Sequence, residues 1–281
     1  MGRGYTVTTA RRALNPTGGF LRGFTFTLNP YIGCAFGAAG GCPFCYVRTL
    51  PVAQAAAGPW GSWVVAKVNL PEVLERELRA LAGNGRLRTA TIFMSSATDP
   101  YQGCERTLRL SRRALELFAR FPPRRVLLQT RSPLIERDLD LLKAMGEHVR
   151  VSLTIETDDE SVRRALTPTS PAIARRFATI ARLRQAGVPS QIAVAPMLPH
   201  DPERFARLLA AATDRVIVDT YFDGDGAHGR RSRALGMAEL YGRLGYGDWF
   251  APGMETRLLA ALRTRMGAER VLFSAAGFAA V

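Results

Sequence analysis

Residues 29–48 read NPYIGCAFGAAGGCPFCYVR and hold Cys34, Cys42 and Cys45, three of the four cysteines in the chain. Thiols this close share a disulfide or a metal. A disulfide would leave an odd thiol. The first residues, MGRGYTVTTARRALNPTGG, lack the apolar core of a signal peptide. The expected address is therefore the cytosol, where clustered cysteines bind metal more often than they form bridges. Structural zinc needs four closed ligands. The stretch supplies three, so Cys104 or one of the distant His148, His200 and His228 would have to complete it. A 4Fe–4S cluster on three cysteines differs, because one iron keeps an open position for a small molecule. Glycines 37, 40 and 41 let the backbone wrap such a group and offer it amide N–H groups. Phe44 and Tyr46 shield one side.

These thiols need a scaffold, and the rest of the chain supplies its pattern. The chain has 281 residues, 47% hydrophobic and 22% charged, an ordinary globular balance. No apolar run reaches the roughly 18–20 residues of a membrane span. The formal charge is +14, almost all of it arginine. That favours a polyanionic partner such as nucleic acid; the alternative is plain composition bias. Residues 1–22 read as a loose basic arm. GFTFTLNPYIG reads as a strand running into the cysteine loop. Helical spacing marks 69–81, 104–121, 133–146, 170–187 and 201–213. Strands are expected at 89–96, 125–132, 149–157, 190–198 and 214–222. Five or six strand–helix units with continuous apolar strands call for a parallel sheet covered by helices, an incomplete (β/α) barrel. An open doubly wound sheet is the alternative. In both, the active site lies at the C-terminal ends of the strands, where the cysteine loop falls. Residues 223–281 read as a basic, glycine-rich loop followed by one or two closing helices, an extension to a core over 23–222.

Several stretches together resemble the radical S-adenosylmethionine (radical SAM) superfamily, and within it the spore photoproduct lyase-like branch, also called DNA repair photolyase-like. NPYIGCAFGAAGGCPFCYVR is similar to that branch's N-P-Y-x-G-C…C-x-Y-C-Y-A-R. SSATDPYQGCERTLRLSRRALE is similar to its T-D-P-Y-Q-x-x-E segment. TRSPLIERDLDLL, VSLTIETDDESVRRALTPTSPAIARRFATIARLRQAGVP and VAPMLPH continue the match over roughly residues 24–222. Seven residues separate Cys34 from Cys42, where the superfamily's usual signature has three. Small residues in the insert let the loop bulge while both thiols reach one cluster.

The resemblance implies an α/β fold, a partial (β/α)6 TIM-like barrel of the radical SAM type. It implies a 4Fe–4S cluster on Cys34, Cys42 and Cys45 whose open iron chelates S-adenosylmethionine. Reductive cleavage of the sulfonium then gives a 5′-deoxyadenosyl radical that abstracts hydrogen from a substrate. An electron donor such as flavodoxin or ferredoxin is implied as well. By the same resemblance Phe44 and Tyr46 lie near the adenine. Ser95, Ser96 or Thr98 contacts the SAM amino group, with Asp99 and Gln102 at the same strand end. Arg131 meets the carboxylate. Ser152, Thr154 and Glu156 face the cavity, and Arg176, or its neighbour Arg175, contacts SAM.

The lyase that gives this branch its name uses a cysteine near the end of the second strand as hydrogen donor. Here that strand reads FMSSATDPYQ, without cysteine. Cys104, at a helix start that favours a thiolate, is the candidate donor; the alternative is a small buried side chain. Arg106, Arg109 and Arg113 share one helix face and form a candidate phosphate strip, against a merely solvated face. Three readings follow: a repair-like lyase acting on nucleic acid, a radical SAM enzyme acting on a small molecule or peptide, and a zinc-stabilised nucleic-acid-binding module.

Overall fold

The computed structural model describes residues 4–36, 41–56 and 58–280. Its strands are β1 (Thr6–Thr8), β2 (Leu14–Pro16), β3 (Phe26–Leu28), β4 (Tyr31–Gly33), β5 (Val64–Lys67), β6 (Thr91–Met94), β7 (Arg125–Thr130), β8 (Val149–Thr154), β9 (Ser190–Val194), β10 (Val216–Val218) and β11 (Val271–Phe273). The main sheet runs β11-β10-β9-β8-β7-β6-β3-β2. All its pairings are parallel except β2 with β3. Strands β3 and β6 to β10 are the six of the expected partial barrel, and β11 adds a seventh parallel strand.

Helices α1 (Leu70–Gly83), α2 (Glu105–Leu108), α3 (Leu110–Arg120), α4 (Leu139–Met145), α5 (Glu160–Leu166), α6 (Ile173–Gln185) and α7 (Pro202–Ala212) lie in the crossovers. Alternation along the strands divides the core into two faces. Ile92, Val126, Val151, Ile192 and Val216 point outward under the helices. Phe93, Leu127, Ala193 and Ile217 point inward.

After β10 come α8 (Tyr221–Gly224), α9 (Arg230–Ala234), α10 (Met237–Arg243), α11 (Glu255–Met266) and α12 (Ser274–Ala279). The last of these fills the barrel's interior. Its Phe278 stacks against Phe93 and Phe20. A Cβ on Gly277 would lie 2.9 Å from Leu272 and 3.2 Å from Ile217. The C-terminal stretch thus supplies a sheet strand and an interior plug, where the sequence suggests only one or two closing helices.

Three local expectations are corrected. The single strand expected over GFTFTLNPYIG is two strands in different sheets. Pro30 has no N–H to continue a ladder, and the chain turns there from β3 into β4. Strand β4 pairs antiparallel with β5, and β5 pairs parallel with β1. This three-stranded sheet carries the cysteine loop. Secondly, residues 4–22 are not a loose arm. They contribute β1 and β2, and the amides of Ala13 and Leu14 donate to the Glu77 carboxylate. Thirdly, the helix over 104–121 breaks at Arg109, which adopts φ 52°. The break lets Glu105 turn back and accept from the amides of Ser111 (3.0 Å) and Arg112 (3.3 Å), capping α3. It also dissolves the arginine strip. Arg106 and Arg109 lie before α3, and Arg113 pairs with Glu72 at 2.9 Å.

Gly33 fixes the approach to the cysteines. Its φ is +81°, and an added Cβ would fall 2.5 Å from both the carbonyl and the ring of Trp63. Gly33→Ala is expected to cost on the order of 2 kcal/mol, from backbone strain together with the displaced tryptophan. A denaturant titration followed by tryptophan fluorescence measures it; an unchanged midpoint would refute the close packing.

Candidate active site

The T-D-P-Y-Q-x-x-E segment is a clamp between strand ends and the cysteine loop. Asp99 accepts from Tyr101 N at 2.8 Å, Thr130 Oγ1 at 2.7 Å and Arg131 N at 3.0 Å, which ties the end of β6 to the end of β7. Gln102 Oε1 accepts from Ala35 N at 2.9 Å, next to Cys34. Thr98 Oγ1 donates to the carbonyl of Gly33, on the other side of that cysteine. Glu105 is fully buried and accepts from the hydroxyl of Tyr31 and from Arg137 Nη2 at 2.7 Å. Tyr101 donates to Asp138 at 2.9 Å. Most of the segment's polar atoms therefore hold structure, and their product is the placement of Cys34.

The three thiols line one chamber at the C-terminal ends of the barrel strands. Phe44, Tyr46, Ser96, Thr98 and Arg131 line it with them, as expected. Tyr46 donates to the carbonyl of Ser96 at 2.8 Å. Gly41 adopts φ +79° against Trp60, whereas Gly37 and Gly40 lie outside the described residues. Burial pushes the Cys34 thiol up to about 12 and the Cys45 thiol up to about 11. A thiolate here thus needs nearby positive charge. Arg131 supplies some of it: Nη1 reaches Cys42 Sγ at 3.0 Å and Ser170 Oγ at 3.3 Å, and Nη2 reaches Glu156 at 3.3 Å.

Several of the expected site residues are not among those lining the chamber. Glu156 and Arg176 lie behind Arg131, both completely buried and paired at 2.5 Å. Burial opposes charge on Glu156, yet Arg176 and Arg131 outweigh it and hold the carboxyl below its usual range. Arg176 also donates to the carbonyl of Thr154 at 2.9 Å. These two residues support the chamber from behind its wall. Of the three residues expected to face the cavity from the fourth strand, Thr154 alone lines it; Ser152 is one step deeper, accepting from Gln191 at 3.2 Å. Arg175 pairs with Glu136 at 2.6 Å, on the surface side of α6.

Cys104 is also absent from the lining. It packs beside Tyr31, Val64, Ala66 and Leu110, against the small sheet. Burial, with Glu105 next, pushes its thiol up to about 11, so the helix start does not favour a thiolate. The buried-side-chain alternative describes it. Cys104→Ser is expected to leave SAM cleavage within about twofold of the parent, since the thiol contacts nothing in the chamber. A 5′-deoxyadenosine assay checks this; loss of product with the cluster intact would show that the thiol acts on the chamber.

Asp219, which belongs to none of the motifs above, lines the chamber just beyond β10. The rule that sites gather after barrel strands would have found it at the end of RVIVD. Gly224 gives it room: an added Cβ there would meet the carboxylate at 2.2 Å. Burial raises Asp219 to about 8, against hydrogen bonds from Thr220 N and the Ser274 side chain. Folded chains therefore keep this proton up to about pH 8, while unfolded chains lose it near pH 4. The unfolded state binds fewer protons between those values, so this group's contribution to stability falls as pH rises through that window. Asp219→Asn is expected to be more stable than the parent at pH 8, on the order of a few kcal/mol, with the gap closing toward pH 4. Thermal melts across that range without SAM measure it, and a pH-independent gap would contradict the assignment. Ser95 was named in the sequence among three candidates. It lines the chamber with φ 76° and a hydroxyl that has no partner among the described residues.

The Radical SAM superfamily model matches residues 28–212, so the chain belongs to that superfamily. An uncharacterized protein of Methanocaldococcus jannaschii is 30% identical over 68% of this chain and 66% of its own length. An uncharacterized protein of Mycobacterium tuberculosis is 31% identical over 63% of this chain and 51% of its own. The chain thus spans about half to two thirds of the length of such relatives. Among solved structures, spore photoproduct lyase complexed with dinucleoside spore photoproduct superposes with a TM-score of 0.64. The match covers 95% of this chain and 80% of that one at 13% identity, and a mutant of the same lyase gives 0.66. These superpositions show a shared fold.

The superfamily implies a 4Fe–4S cluster and SAM, and the residues fit both. Among the described residues no three Cys, His, Asp or Glu side chains converge on a point for a single metal ion. A four-iron cluster takes each thiolate on a different iron, so its ligands line a wall, as these three do. The unpartnered Ser95 hydroxyl and the Arg131 guanidinium offer polar contacts to a zwitterionic ligand beside them.

Proposed function

We propose that this chain is a radical SAM enzyme acting on a nucleic acid or nucleotide. The observation that carries the reading is the convergence of Cys34, Cys42, Cys45 and Arg131 on one chamber at the barrel's C-terminal mouth. When bound, the cluster and SAM supply reductive sulfonium cleavage and a hydrogen-abstracting radical. Cys34, Cys42 and Cys45 hold the cluster. Arg131, braced by Glu156, places positive charge beside Cys42 and orients the SAM carboxylate. Phe44 and Tyr46 enclose the adenine side, while Phe20, Phe93 and Phe278 close the chamber floor against water.

The substrate class rests on the mouth. Arg230 and Arg233 are exposed on α9, whose Ser232 lines the chamber, and Arg233 stacks on Phe222 at 5.3 Å. Cations interleaved with aromatic rings suit phosphates and bases. The net charge of +14 and the shared fold with spore photoproduct lyase support the same class.

Anaerobic reconstitution with iron and sulfide, then dithionite and SAM, should yield 5′-deoxyadenosine. Binding to single-stranded and duplex DNA should weaken steeply with salt. Tight zinc binding with no 5′-deoxyadenosine would overturn the enzyme reading. Product formation with salt-independent, negligible DNA binding would redirect it to a small molecule or peptide.

A further inference from the structure

Three arginines gather at the end of the barrel opposite the cysteines. Arg125 opens β7, Arg150 is the second residue of β8, and Arg215 immediately precedes β10. Strand alternation turns all three inward. Arg125 shares its face with Leu127 and Gln129, Arg150 with Ser152 and Thr154, and Arg215 with Ile217 and Asp219. Leu127 and Ile217 belong to the inner core, and Gln129, Thr154 and Asp219 line the chamber above it. The register sets Arg150 beside Leu127 on the neighbouring strand. Arg215 Nε donates to Gln191 at 3.0 Å, and Gln191 is the register partner of Ser152. The three cations thus gather beneath the apolar plug, near enough to repel one another.

Among the described residues this layer is short of negative charge. Each arginine is half-buried, and among the described residues none has a carboxylate within ion-pairing distance. Glu147 and Asp214, the acidic residues that act on Arg150, are exposed at the rim. The Nε atoms of Arg125 and Arg150 are buried without an acceptor. Arg215 has only Gln191 and the carbonyl of Ala280. Burial, then mutual repulsion, holds Arg150 and Arg215 below the usual arginine value. Like charges brought together with unused donors destabilise a fold unless an anion joins them.

We propose that Arg125, Arg150 and Arg215 form a second site, which takes a phosphate group at the barrel end opposite the cysteines. Guanidinium forks match phosphate oxygens in pairs. A tetrahedral dianion meets donors arriving from three strands better than a planar carboxylate does. The site is separate from the chamber and does not depend on the chemistry proposed there.

The test is thermal melting of the full chain with its cluster in place, at constant ionic strength set by sodium chloride. Inorganic phosphate, pyrophosphate and ATP are the probes, which separates a free oxyanion from a nucleotide's phosphates. Saturable stabilisation of roughly 3 °C or more is expected for at least one of them. Arg150→Gln and Arg215→Gln are each expected to abolish that rise. Each should also melt higher than the parent without phosphate, because repulsion is relieved; a merely structural arginine would melt lower. If one variant does not fold, Arg125→Gln reads the same quantities. No rise beyond the chloride control in the parent, or an undiminished rise in the variants, overturns the proposal.

Discussion

Cys42→Ala is expected to abolish cluster binding and to lower 5′-deoxyadenosine formation by more than about 100-fold, to background. A missing ligand should cost more than the 10- to 100-fold typical of residues that merely orient one. Cys42 is also the thiol that Arg131 touches, at 3.0 Å. In the variant, Arg131 keeps Glu156 and Ser170, so the chamber wall stands. Stability without cluster should then change by less than about 1 kcal/mol, since the cysteine is only partly buried. That contrast separates a ligand from a core residue. Iron content, the visible absorption of the cluster and the SAM cleavage assay read the first effect; a denaturant titration of the apoprotein reads the second. A variant that retains iron and cleaves SAM at the parental rate would remove Cys42 from the ligand set.

The barrel was legible because its strands are continuous apolar runs and its helices keep their spacing. The mouth was legible because chain order alone places loops after strands at one end. Legibility failed where long-range polar contacts decide. Nothing local in CERTLRLSRR announces a break at Arg109; Glu105 reaching back to Ser111 makes it. TVTTARRAL opens on a β-branched run that suits a strand but is only three to four residues long, and the edge offered by β5 is what pairs it as β1. Arg176 and Glu156 are expected to face the chamber, and the structure places both behind its wall. Their types fit a ligand contact, and only burial shows them paired with each other behind Arg131. Asp219 was hidden for the opposite reason. A single carboxylate after an apolar strand looks like a turn residue until the strand's end is seen opening on the chamber.

Glu156→Gln is expected to be the most destabilising conservative change at the site, by about 3–5 kcal/mol. The carboxylate is wholly buried between Arg176, at 2.5 Å, and Arg131, at 3.3 Å. Arg176 is itself wholly buried, and its Nε and Nη2 have no partner. Glutamine keeps the shape and removes the charge, so a guanidinium is left uncompensated in a low dielectric. The ion pair need not be worth that much when intact, because desolvation of both charges offsets most of their attraction. A double substitution distinguishes the two quantities. Glu156→Gln with Arg176→Met removes both charges and should recover much of the loss, giving a coupling of a few kcal/mol in the cycle. The pH dependence has a definite sign as well. Glu156 is held below its usual range when folded, so its contribution is present above the unfolded carboxyl value and fades as pH falls through the lowered one. The parent should lose stability in acid, and the glutamine variant should lose less. Arg131 gives the functional readout. Freed from Glu156, it should hold the SAM carboxylate less well, raising the KM for SAM more than it lowers kcat. A Glu156→Gln protein within 1 kcal/mol of the parent, with an unchanged KM, would mean that Arg176 and Arg131 find their countercharge elsewhere.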